Sequence, residues 1–117
     1  MVATRVIERN SLKETKAAEG LIFTTPLLNQ SHPFFTRFRE KYNENATFYG
    51  AEGFDAMKTL YSAVSVCGNS PDCIYSRYQN RSFDGALGSV RFDEKGIATY
   101  PIGFKIVRDG TFEDYQV

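Results

Sequence analysis

The spacing of apolar residues changes along this chain from a helical to a strand-like period, and this change limits the folds it can adopt. Between residues 33 and 66, apolar side chains recur every three or four positions, as in amphipathic helices. From residue 83 onward, Val90 and Phe92 alternate with polar residues, which is typical of a strand. A short apolar run at 21–25 predicts a buried strand before the helices. The resulting order of strand, three helices and β-hairpin meander predicts a mixed α/β fold.

Capping residues predict where the three helices begin and end. Ser31 is a good N-cap ahead of Pro33, which suits the first turn of a helix. The second helix is predicted from Phe54 to the Cys67-Gly68 pair, and the third begins after Ser70.

Turn-forming residues divide the C-terminal part of the chain into strands. Residues 97–107 are predicted to form one long strand. Asp109-Gly110 then predicts a hairpin turn before a last strand at 111–117.

Charge and hydropathy exclude several classes of function. With 117 residues the chain has room for one domain. Its 14 basic residues are balanced by 14 acidic ones, so it lacks the excess of positive charge that is typical of nucleic-acid-binding proteins. It has no apolar run of 18 residues that would span a membrane. Charges interrupt the first nine residues, so they do not read as a signal peptide; if the protein is exported, its signal is expected upstream.

The chain has few residues that would carry catalysis. Its one histidine, His32, lies in a loop directly before Pro33, where a structural role in the first helical turn is expected. The glycine-containing segment 50–53 lacks the lysine of a phosphate-binding loop. We therefore expect no enzyme activity, no cofactor and no metal site.

Cys67 and Cys73 are separated by turn-forming residues, Gly-Asn-Ser-Pro-Asp, which can bring the two sulfurs within bonding range. This spacing predicts a disulfide and hence an oxidising compartment, the alternative being two unrelated buried thiols. The pair is too far apart for a Cys-x-x-Cys redox motif.

Phe48 and Tyr49 follow a turn-rich break and precede the second helix. A helix N-terminus close to an aromatic wall is a suitable place to hold an anionic group. The alternative is that both rings simply pack in the core.

Four segments in register resemble the C-terminal part of the type I periplasmic solute-binding proteins, in the branch of leucine/isoleucine/valine receptors of ABC transporters. They are A-E-G-L-I-F-T-T-P at 18–26, the aromatic and basic residues Phe34, Phe38, Lys41 and Tyr42, Y-G-A-E-G-F-D-A at 49–56, and F-D-G-A-L-G-S-V-R-F-D-E-K-G at 83–96. The resemblance covers residues 11–117, which we assign to this domain segment. Residues 1–10 form an unassigned N-terminal extension.

The resemblance implies part of a two-lobed clamshell that closes on an amino acid or a similar small solute and delivers it to an ABC permease, in the periplasm or outside the cell. Tyr49 matches the aromatic position that lines the family's ligand cleft, and Glu52 lies one helical turn onward. The first-lobe Ser and Thr residues that grip the ligand in this family have no counterpart here. A sensory receptor of the same fold and an interaction module without ligand remain alternatives. Apolar surface left without its other half predicts a homo-oligomer.

Overall fold

A computed structural model of the chain describes residues 2–3 and 14–117. These residues fall into two compact units. One consists of the described residues up to Leu27 together with Ile102–Val117, and the other is Leu28–Pro101. The predicted boundary between residues 10 and 11 lies outside the described residues and stays a prediction.

The first unit is built on a four-stranded sheet with the strand order β1-β2-β6-β7. Its strands are β1 (Val2–Ala3), β2 (Ile22–Pro26), β6 (Ile102–Arg108) and β7 (Thr111–Tyr115). β1 is parallel to β2, and the other neighbours are antiparallel. A 3-10 turn at Lys16–Ala18 precedes β2. The core of this unit consists of Ala18, Phe23 and Val107, with Leu21 and Phe112 packed against them.

The second unit contains the three helices that the apolar periodicity predicts. They are α1 (Pro33–Tyr42), α2 (Phe48–Cys67) and α3 (Pro71–Tyr78). After α3 the chain forms a three-stranded antiparallel sheet of β3 (Ser82–Gly85), β4 (Gly88–Phe92) and β5 (Ala98–Thr99). The buried core joins α1, α2 and the β3–β4 hairpin through Phe35, Ala51, Ala86, Leu87 and Val90.

The N-cap of α1 differs from the predicted one. The cap is His32, whose Nδ1 accepts a hydrogen bond from the backbone N–H of Phe34 at 3.2 Å. A residue that precedes proline is held in the extended region, which is also the conformation that an N-cap needs. Because Pro33 is the first helical residue, the cap falls on His32 and not on Ser31. At α3 the same rule gives the predicted Ser70, whose hydroxyl accepts from Cys73 N–H.

The second helix begins earlier than predicted, and the long predicted strand is interrupted. α2 starts at Phe48, because burial of Phe48 and Ala51 outweighs the low helix propensity of Gly50 and Gly53. The predicted strand at 97–107 is two strands in two different sheets, β5 and β6. Pro101 lies in the break, and proline has no backbone N–H to donate to a sheet.

The chain passes between the two units at neighbouring points. It leaves the first unit after Leu27 and re-enters it at Ile102. Pro26 and Ile102 are paired in the β2–β6 ladder, so both crossings start from one end of the same strand pair.

Candidate ligand-binding site

The beginning of α2 carries the aromatic pair that the sequence singled out. Phe48 is buried, whereas Tyr49 is 56% exposed, and their ring centroids lie 3.9 Å apart. Core packing therefore accounts for Phe48 but not for Tyr49, which is an exposed residue.

The first turn of α2 contains backbone donors that the helix itself does not use. Thr47 is the N-cap but makes no side-chain capping hydrogen bond. Its carbonyl accepts from Ala51 N–H at 3.1 Å, so the N–H groups of Tyr49 and Gly50 have no acceptor within the helix. Such groups, with the positive end of the helix dipole, favour a carboxylate or another anion.

Glu52 lies one turn further along α2 and is half-buried. It lines a mostly apolar cavity of about 340 Å³ between α2, α3 and the sheet of the second unit, together with side chains such as Leu60, Tyr78 and Phe92. Tyr49 is not among the residues that line this cavity. The structure thus places Tyr49 and Glu52 at the same end of α2 but brings only Glu52 to the cavity. Their roles in ligand binding stay predictions.

Asp55 is the residue of this region whose role the sequence reasoning did not identify. Its side chain is 3% exposed, and its two carboxylate oxygens accept hydrogen bonds from the backbone N–H groups of Ala86 and Leu87, each at 2.9 Å. These bonds tie α2 to the turn between β3 and β4. The segments 49–56 and 83–96 are both distinctive in the sequence, but nothing in either one shows that they meet.

The far end of α2 is covalently linked to the start of α3. Cys67 and Cys73 form the predicted disulfide, with their Cα atoms 5.6 Å apart. The intervening turn, from Gly68 to the N-cap Ser70, brings the chain back as the sequence predicted.

Two further observations concern the described residues alone. None of the helices there is long and apolar enough to cross a membrane. In the same part of the chain, no group of three or more His, Cys, Asp or Glu side chains is arranged to hold a metal ion.

Comparisons with solved structures found matches that extend over nearly the whole chain. An extracellular ligand-binding receptor from Desulfohalobium retbaense is 35% identical, with a TM-score of 0.85, over 98% of this chain and 22% of that chain. A leucine-binding protein from Thermotoga maritima is 29% identical, with a TM-score of 0.78, over 98% and 36%. An ABC transporter substrate-binding protein from Desulfitobacterium hafniense, in complex with Leu, is 25% identical, with a TM-score of 0.69, over 97% and 35%.

The matched region is a minor part of each of these proteins. This chain spans between about a fifth and about a third of their lengths. A comparison with protein-family models found no match, and neither did a comparison with curated proteins. The structural matches confirm the resemblance and the type I periplasmic-binding fold that the four sequence segments implied.

Proposed function

Since this chain shares the fold of type I periplasmic solute-binding proteins and resembles their branched-chain amino-acid receptors, we propose that it is one part of an extracytoplasmic protein that captures an amino acid or a similar small solute for an ABC transporter. A solute-binding role is what its structural neighbours have in common. The observation that carries the proposal is the likeness to the leucine-binding protein from Thermotoga maritima, at 29% identity and a TM-score of 0.78 over 98% of this chain.

We propose that the start of α2 forms one wall of the solute site. The exposed Tyr49 ring offers apolar area and a hydroxyl to the solute. The N–H groups of Tyr49 and Gly50 suit the solute's carboxylate, and the carboxylate of Glu52 suits its ammonium group. This wall binds and orients the solute and performs no bond-making chemistry, so we propose that the protein is not an enzyme.

Location and transport follow from the same proposal. The disulfide Cys67–Cys73 suits an oxidising compartment, such as the periplasm or the cell exterior. Capture by such a protein ends with delivery to an ABC permease, its proposed partner. The second candidate is a receptor that signals on ligand binding, and it is favoured by the likeness to the Desulfohalobium protein, which is an extracellular ligand-binding receptor.

Titration calorimetry on the longest product encoded by the gene tests this function, with leucine, isoleucine, valine and other amino acids as ligands. We expect micromolar or tighter binding of at least one, and a loss of about tenfold or more in Tyr49→Ala. Tyr42→Ala is a matched control, because Tyr42 is a helical tyrosine with 53% exposure. Absence of binding by any amino acid, or equal loss in both variants, would contradict the proposed site.

A further inference from the structure

A second and larger cavity in the unit Leu28–Pro101 has both apolar and charged side chains among its lining residues. Its volume is about 630 Å³, and it lies among α2, α3 and the beginning of β3. Neither Tyr49 nor Glu52 lines it. We call it the basic cavity, after the three cations on its wall: Lys58, Arg77 and Arg81.

The three cations reach the basic cavity from three different segments. Lys58 is on α2, Arg77 is on α3, and Arg81 follows α3 just before β3. The Nζ atom of Lys58 lies 5.7 Å from the centroid of the Phe54 ring, within the range of a cation–π interaction. In the part of the chain that the structure describes, no salt bridge or hydrogen bond joins the side chain of Arg77 or Arg81 to an acceptor.

Two carboxylates on the wall offset two of these three positive charges, which leaves an excess of one. Asp55 is one of the two, and both of its oxygens accept hydrogen bonds from backbone N–H groups in the β3–β4 turn. Asp84 is the other carboxylate of the wall. Ser62 and Ser82 also line the cavity.

We propose that the basic cavity binds a small organic anion with two or more carboxylate or phosphate groups. The guanidinium groups of arginine donate paired hydrogen bonds to the oxygens of planar carboxylates and tetrahedral phosphates, and the lysine adds a positive charge. The cavity is far larger than a single phosphate, and its cations come from separate segments. We therefore expect an anion with several charged groups to bind more tightly than an anion with one. The proposal is independent of the amino-acid site, because the two share none of the residues assigned to ligand contact.

Titration calorimetry of the 117-residue chain with citrate, and separately with inorganic phosphate, tests this proposal. We expect citrate to bind more tightly than phosphate, and binding to weaken at least severalfold between about 20 mM and about 300 mM sodium chloride, because exposed charges are screened by salt. Arg77→Gln/Arg81→Gln is expected to weaken citrate binding by about tenfold or more. Asp84→Asn is expected to strengthen it, because it removes a like charge from the wall.

Arg91→Gln is the matched control, since Arg91 is an exposed arginine of β4 that does not line the basic cavity. Circular dichroism checks that each variant keeps the fold. Equal effects of Arg91→Gln and the double substitution would overturn the proposal, and so would no citrate binding at low salt. Phosphate binding as tightly as citrate would overturn the multivalent class.

Discussion

The carboxylate of Asp55 accepts a hydrogen bond from the backbone N–H of Leu87, 32 residues further along the chain. Its other oxygen accepts from Ala86, and Gly85 lies so close that a Cβ there would come within 2.7 Å of Asp55 Oδ1. One buried side chain thereby connects helix α2 to the tight turn between β3 and β4. The absence of a side chain at Gly85 is what gives the carboxylate its space.

The first prediction concerns this contact. Asp55→Ala leaves two buried N–H groups without an acceptor and is expected to lower the free energy of unfolding by about 2–4 kcal/mol. Gly85→Ala places a methyl group against the carboxylate and is expected to cost about 1–3 kcal/mol. The double variant is expected to lose less than the sum, by about 1 kcal/mol, since removing the carboxylate makes room for the methyl group. Urea unfolding measures all three.

Two control variants separate this contact from general effects. Asp84→Ala removes an exposed carboxylate one residue from Gly85 and is expected to change stability by less than about 0.5 kcal/mol. A Cβ at the helical Gly53 meets no atom within 4 Å, so Gly53→Ala is expected to stabilise the chain by about 0.5–1 kcal/mol. Strict additivity of Asp55→Ala and Gly85→Ala would show that the two residues do not act on each other.

The second prediction concerns the disulfide. Reduction of Cys67–Cys73 is expected to lower the free energy of unfolding by about 2 kcal/mol, because the closed loop is short and constrains the unfolded chain only modestly. Urea unfolding with and without reductant measures this, and Cys67→Ser/Cys73→Ser provides a reductant-independent comparison. Mass spectrometry after alkylation counts the free thiols. Two alkylated cysteines in unreduced protein from an oxidising compartment would remove the disulfide as an argument for export.

The third prediction is that the 117-residue chain alone binds no amino acid appreciably. Tyr49 and Glu52 are proposed to contribute one wall of the site, and one wall does not offset the cost of immobilising a small solute. Calorimetric titration with a panel of amino acids is expected to give no signal in the micromolar range. A dissociation constant in the low micromolar range would show that the pocket is complete within this chain.

The fourth prediction concerns assembly. Met57 and Tyr61 are 65% and 76% exposed, and Leu60 and Val64 of the same helix are also exposed. In water, exposed apolar side chains on one face of a helix are favoured to pack against another copy of the chain. We therefore expect a homodimer or a larger assembly. Light scattering coupled to size exclusion measures the mass. Met57→Lys/Tyr61→Lys is expected to shift the chain toward monomer.

The matched control for assembly is Ile97→Lys, because Ile97 is 58% exposed but lies outside the helix face. A wild-type chain that is monomeric at micromolar concentration would contradict the expectation. The same holds if Ile97→Lys dissociates the assembly as fully as the helix variant does.

Local chemistry made much of the secondary structure predictable. The strand at 22–26, the three helices and the hairpin turn at 109–110 all follow from apolar period and turn residues. The disulfide followed from the turn formers between its cysteines. The prediction of Ser31 as the first N-cap was wrong, although the restriction that Pro33 imposes on its predecessor, His32, is local.

Long-range contacts decided what the sequence pattern left open. The helix start at Phe48 depends on burying Phe48 and Ala51, and the role of Asp55 depends on a turn that lies about 30 residues later. The assignment of β5 and β6 to different sheets likewise depends on which strands pair. The sequence by itself therefore determined the elements and the family resemblance, since capping, turn chemistry and period act over a few residues. Only the tertiary structure decided which elements meet, because burial and hydrogen bonds between distant residues have no local signature.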